Sequence, residues 1–259
     1  MIIEQLSNLL SYIGNPYFIS VLAIILFVFS KKYDSSGLIY LLFFTMIYNV
    51  LLKYAFKFPL PESCPAKGYG FPSGHMNFNS VFFLWIFSTY KKPIIRIFSL
   101  LSLAAIGWNI VYKGFHYARD VLLTPPFACL CIFIYRKFIE DKDISRIFLT
   151  INLFSAVIIL GLYFINGFVH WHIFMAYYII IGFGLSRIFF EELKQKIGFS
   201  STISQTIKSI CILLGILIIC VGNETKILYH ILEQAKWFFL GIFLPAFKYL
   251  FHISQKDKI

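Results

Sequence analysis

The chain has 259 residues, 59% hydrophobic, 20% aromatic and only 14% charged, with a mean hydropathy of +0.78, whereas soluble domains carry about 25% charged residues. That balance excludes a soluble globular enzyme, a disordered protein and a disulfide scaffold, and predicts an integral membrane protein built from spans of about 20 apolar residues. The net charge of +11, from 23 Lys and Arg against 12 Asp and Glu, sits in short runs between apolar segments, the pattern that orients a multi-pass protein rather than one that binds nucleic acid.

In chain order, Met1 to Ile13 is mildly amphipathic, with Ile2, Leu6, Leu9, Leu10 and Ile13 set against Glu4, Gln5, Ser7 and Asn8. It predicts an interfacial helix that ends at Gly14 and Pro16. Apolar segments follow at about 17–30, 37–58, 73–90, 97–113, 119–135, 147–165, 172–190, 207–222 and 237–251, giving eight or nine spans in an all-α polytopic bundle. The first thirty residues hold no Lys or Arg, so the basic n-region of a signal peptide is not expected. Of the five cysteines, Cys129, Cys131, Cys211 and Cys220 lie in apolar stretches and are expected to be buried small hydrophobes.

If the N-terminus lies outside the cytoplasm, alternation of the spans places sixteen Lys and Arg in cytoplasmic connections and seven outside, as the positive-inside rule requires. Five of the seven exceptions, Lys53, Lys57, Lys67, Lys113 and Arg119, cluster in two outer connections. Cations placed against the orientation signal need another reason to be there.

The first of these connections runs from Lys53 through Pro59 and Pro61 to Phe71-Pro72-Ser73-Gly74-His75, and the second from Asn109 to Asp120. Ser73 follows a Pro-rich loop and precedes a long apolar run, which makes it a good N-cap. The free amides at such a helix start attract anions, and His75 lies in the first turn. His116 and Asp120 are four apart, on one helical face, so the carboxylate can orient the imidazole. Two histidines, one with a carboxylate behind it, suit phosphoryl transfer: one attacks phosphorus and the other protonates the leaving oxygen.

Phe71 to His75, and Tyr112 to Asp120 with Gly114, His116 and Asp120 in register, resemble the second and third signatures of the type 2 phosphatidic acid phosphatase (PAP2) family. Lys53, with Pro59 and Pro61 downstream, resembles the first. The resemblance implies that His116 is the nucleophile of a phosphohistidine intermediate, Asp120 its orienter and His75 the general acid. It also implies that Lys53, Ser73 and Gly74 bind phosphate, and that the substrate is a membrane lipid or polyprenyl phosphate reached from the extracytoplasmic face. No cofactor or metal is expected.

The chain departs from the family at two arginine positions, which are Leu60 and Ile110 here. A phosphomonoester dianion gains most from bidentate arginine contacts. Either Lys57 and Lys113 supply the charge, or the substrate is a diester, as in the related sphingomyelin-synthase-like phosphotransferases. A catalytically inactive binding or transport protein is the third reading, although transport would call for ionisable groups at mid-span.

Residues 1–136 are the expected core. Residues 147–251 add three or four spans that the sequence leaves open as a lipid entrance, a surface for a second copy, or a partner surface. In that part, His170-Trp171-His172 reads as an aromatic belt rather than a metal site, and Asn223-Glu224-Thr225 matches a glycosylation sequon.

Overall fold

The computed structural model describes residues 2–30, 35–196 and 226–256. The fold is an all-α polytopic bundle with no strand among the described residues. It divides into one unit at Met1–Asp141 and another at Lys142–Ile259.

In the first unit, α1 (Ile2–Ile13) and α2 (Pro16–Phe29) form a pair bent by 52°. The bend is encoded locally. The Asn15 side chain accepts from the Tyr17 amide at 2.8 Å, and Pro16, with no N–H to leave unpaired, opens the new helix. α1 turns its apolar residues outward, with Ile2 77% and Tyr12 76% exposed, while its fully buried position is Ser7. α3 (Ser36–Phe56) is buried on most sides and packs on α4 (Gly74–Thr89). A Cβ at Gly37 would collide with Tyr135 and would come within 2.6 Å of Trp85, so glycine permits the close approach there. α5 (Pro93–Tyr112) and the short α6 (Ala118–Leu122) lead to α7 (Pro125–Ile134). A π-helical turn, Tyr135–Ile139, prolongs α7.

The second unit contains α8 (Ile144–Asn166), α9 (Trp171–Lys196) and α10 (Lys226–Lys256). Asp143 caps α8 by accepting from the Arg146 amide at 2.9 Å, and Gly167 at φ 71° ends it. α9 and α10 meet through glycines: a Cβ at Gly182 would strike the Phe238 carbonyl, and one at Gly241 would lie 2.5 Å from the Ile179 carbonyl. Small residues let helix backbones approach where lipid supplies no hydrophobic drive. The Ser186 hydroxyl donates across this contact to the Ile242 carbonyl at 2.7 Å.

Among the described residues, five helices are long and apolar enough to cross a membrane: Ser36–Phe56, Pro93–Tyr112, Ala118–Ile139, Ile144–Asn166 and Trp171–Glu192. The bent α1–α2 pair would be a sixth. Of the other segments among the eight or nine expected, some form shorter helices and one lies outside the described residues. The segments at 17–30 and 73–90 form α2 and α4, of 14 and 16 residues, below the ~20 that a bilayer needs. The segment at 237–251 falls within α10, which carries Pro245 internally. The segment at 207–222, the sequon, Cys211 and Cys220 lie outside the described residues. Cys129 is exposed and Cys131 half-buried, which corrects the expectation of buried thiols, because α7 turns that side of its surface outward.

Gly182→Val should force α9 and α10 apart and cost about 1–3 kcal/mol through overpacking. Thermal unfolding in detergent should show a lowered midpoint, while Gly161→Ala, with open space around its Cβ inside α8, should keep or raise it.

Candidate active site

α3 ends at Lys57, a left-handed residue at φ 55°, and the chain doubles back through the Pro-rich loop. Pro59 pairs with Tyr69 in an isolated bridge, and the Gly70 amide donates to the Phe58 carbonyl at 2.7 Å. Lys53, one turn before the end of α3, donates from Nζ to the Tyr69 carbonyl at 2.7 Å. Beside the loop, Phe71 packs against Phe56, Phe58 and Phe127 with ring centroids 4.9, 5.8 and 5.8 Å away.

Ser73 then caps α4, its hydroxyl accepting from the Met76 amide at 3.4 Å. The cap is tied from two sides. Asn49 of α3 donates to the Pro72 carbonyl at 3.4 Å and accepts from the Asn77 side chain at 3.0 Å. The Ser73 amide donates to Thr124 Oγ1 at 3.1 Å, and that hydroxyl donates in turn to the Asp120 carbonyl. Thr124 is fully buried.

The second half of the site begins where α5 ends. The Gly114 amide donates to the Val111 carbonyl at 2.9 Å and the Phe115 amide to the Ile110 carbonyl at 3.2 Å, the two bonds of a Schellman motif. Gly114 takes φ 70°, a conformation that favours glycine. Ser63 of the Pro-rich loop donates to the Gly114 carbonyl at 3.2 Å.

This reversal delivers His116 and Asp120, 9% and 0% exposed. Asp120 Oδ2 accepts from the Tyr117 amide at 3.3 Å and lies 3.8 Å from His116 Nδ1. That separation is an ion-pair distance, longer than a hydrogen bond. His116 Nδ1 and Asp120 Oδ1 are buried polar atoms without a hydrogen-bond partner, and Arg119 Nε stands 3.6 Å from that Oδ1. Burial, then the positive charge of Lys53 and the neighbouring His75, push His116 down to about 4, opposed by a hydrogen bond with the Gly70 backbone. The ring is therefore neutral at pH 7. Glycine suits position 70, since a Cβ there would sit 3.0 Å from Asp120 Oδ2 and from the Pro59 carbonyl and would press on both.

His116 and His75 open onto one cleft of about 210 Å³. Its other walls come from Ile110 and Asn109 of α5 and from Ser11, Gly14 and Asn15 at the α1–α2 corner. Asn109 bridges the hydroxyls of Ser7 and Ser11 at 2.7 and 3.0 Å, which fixes α1 as that wall. Lys113 points the same way, donating from Nζ to Asn8 Oδ1 at 2.7 Å, and does not line the cleft. Lys57 is exposed at the end of α3. Ser73 and Gly74 stand at the start of α4, directly before His75.

The structure adds residues that sequence reasoning did not single out: Thr124, Gly70, Ser11 and Asn15. A threonine four residues after Asp120 is a signal available in the sequence, since a hydroxyl at that spacing reaches back to the carbonyl. Gly70 and the α1 residues carry no comparable signal.

Thr124→Val keeps shape but removes both hydrogen bonds and leaves the buried Ser73 amide unpaired, at a cost of about 1–3 kcal/mol. Its thermal midpoint should fall. Thr124→Ser, which keeps the hydroxyl, should recover most of the loss.

Residues 71–137 match a family model described as the PAP2 superfamily C-terminal region. No curated protein and no solved structure matches the chain. The matched residues run from Phe71 through His75, His116 and Asp120 to the π-helical turn, and this match supports membership of the chain in the PAP2 superfamily.

Proposed function

We propose that the protein is a PAP2-type phosphatase that hydrolyses a lipid phosphate at the extracytoplasmic face through a phosphohistidine. One observation carries the reading: two histidines face one cleft, and a fully buried carboxylate stands behind the first. Neutral His116 attacks phosphorus with Nε2, released from the Gly70 backbone, while Asp120 steadies Nδ1–H and the positive charge that develops. The P–O bond to the lipid alcohol breaks, and His75 gives its proton to the departing oxygen. Water then gives a proton to His75 and attacks phosphorus, which releases phosphate and restores His116. Ser73, Gly74 and Lys53 are the proposed phosphate contacts, with the α4 amides as anion donors. The apolar outer surface of α1 and the five candidate spans support a substrate delivered from the bilayer.

A second reading draws on where the cations sit. Lys113 is held by Asn8, and Ile110 lines the cleft at the place of a family arginine. Arg119 is 56% exposed beside Asp120. Lys53 is left as the main positive group near the histidines, a supply suited to a monoanionic diester. Transfer of a head group between lipids would use the same two histidines with an alcohol in place of water.

Phosphate release from lipid monoesters, measured beside diester turnover, separates the two. Ile110→Arg should raise monoester hydrolysis and lower diester turnover if the natural substrate is a diester. If the natural substrate is a monoester, hydrolysis should be maintained or raised with no diester activity to lose. His116→Ala should abolish either activity, and Asp120→Asn should lower it by about 10²–10⁴-fold. An unaffected rate in His116→Ala would overturn the mechanism.

The acid limb of kcat/KM should fall near pH 4, because His116 must be neutral to attack and its proton leaves at about 4. A limb near 6.5, the ordinary histidine value, would assign the attack elsewhere. The linkage has a matching sign: a folded-state value below the unfolded one stabilises the fold fully above about pH 6.5, and the stabilisation is lost as pH falls toward 4.

Counted over the nine apolar segments of the sequence, the charge bias favours residues 60–72 lying outside the cytoplasm with Met1. Ala66→Cys, in a Cys64→Ser background, should react with an impermeant reagent from the outer side of intact cells. Reaction only from the cytoplasmic side would reverse the orientation.

A further inference from the structure

α4 and α7 lie side by side and run the same way. At one end the Ser73 amide meets Thr124, and at the other Arg136 Nη2 donates to Thr89 Oγ1 at 2.6 Å. Between their far ends lies a second concavity of about 490 Å³, remote from the histidines, with apolar walls from Leu84, Phe87, Ile132 and Phe133. Arg136 and Lys137 close one end, and no acidic side chain lines it among the described residues. The volume is within the range of ligand pockets, about 300–1,000 Å³.

The basic end is built rather than incidental. The Arg136 guanidinium lies 4.6 Å from the Trp85 ring centroid, a cation–π geometry. With the Thr89 bond, this holds the fork in one plane. Arg136 Nε is buried without a hydrogen-bond partner among the described residues, a donor left to pair with an incoming acceptor. Lys137 Nζ sits 5.4 Å from the Phe133 and Phe138 rings. Both cations stand on the π-helical turn that closes when the Glu140 amide donates to the Tyr135 carbonyl at 2.8 Å, and such turns are frequent at functional sites.

We propose that this groove is a binding site for an anionic phospholipid, its phosphate on Arg136 and Lys137 and an acyl chain along the apolar wall. The charge selects the occupant. A zwitterionic lipid brings a cation of its own to the basic end, and an apolar protein segment would bring no anion to it. Basic pockets between membrane helices are suited to lipid phosphate, and a planar arginine supplies paired donors to phosphate oxygens. This site does not depend on the chemistry proposed at the histidine end.

Trp85 supplies the probe. The full chain, with Trp108→Phe, Trp171→Phe and Trp237→Phe, is reconstituted in phosphatidylcholine vesicles containing increasing fractions of acyl-brominated phosphatidylglycerol or acyl-brominated phosphatidylcholine. Quenching of Trp85 should report a preference for the anionic lipid of about fivefold or more. Arg136→Gln with Lys137→Gln should bring the ratio to one, and Lys137→Gln alone, on an exposed side chain, should lower it in part. Equal quenching by the two lipids, or a preference that survives both substitutions, would overturn the proposal. Absence of quenching by either lipid would also overturn it, because protein would then cover the groove.

Discussion

The Thr124 hydroxyl accepts from the Ser73 amide and donates to the Asp120 carbonyl, so one buried oxygen joins the start of α4 to the turn that carries the carboxylate. The two halves of the site are far apart in the chain, and each has its own local logic: an N-cap after a Pro-rich loop on one side, a Schellman end at Gly114 on the other. Neither fixes its distance from the other. Thr124 does, with support from Asn49 on Pro72 and from Ser63 on Gly114. Moving the hydroxyl would shift Asp120 against His116, whose 3.8 Å separation has little to spare before the carboxylate ceases to steer the ring.

Charge at this end is economical. His116 is held neutral by burial and by the cations beside it, while Asp120 is enclosed among backbone, a glycine and Arg119. Both keep a buried polar atom that has an ion-pair neighbour but no hydrogen bond, a state that costs stability and that functional sites tolerate. Such a pair is poised to accept charge that arrives with a substrate.

The bundle character was legible in the sequence because a composition this apolar permits few alternatives, and the His75, His116 and Asp120 constellation was legible because its spacing carries chemistry. The number of spans was less so. Hydropathy identified the segments that became α2 and α4 but could not show that they form helices of only 14 and 16 residues. Lys113 illustrates the other difficulty: three residues before His116 it reads as a phosphate ligand, yet its direction is set by Asn8 on a helix about a hundred residues away. α1 itself was read as amphipathic with its polar side toward water. Its Ser7 instead faces Asn109, because a membrane helix gains more by pairing its hydroxyls inside than by burying leucine.

The shortness of α4 has a consequence for depth. Asn49 marks the level at which α4 begins, through its bond to Pro72, yet α3 continues beyond it to Phe56, a rise of about 10 Å. α3 therefore rises about two helical turns past the level at which α4, and with it His75, begins. Under the proposed function, a head group level with the end of α3 would stand about that far above the start of α4, a step short enough for the lipid to keep its tail among apolar surroundings.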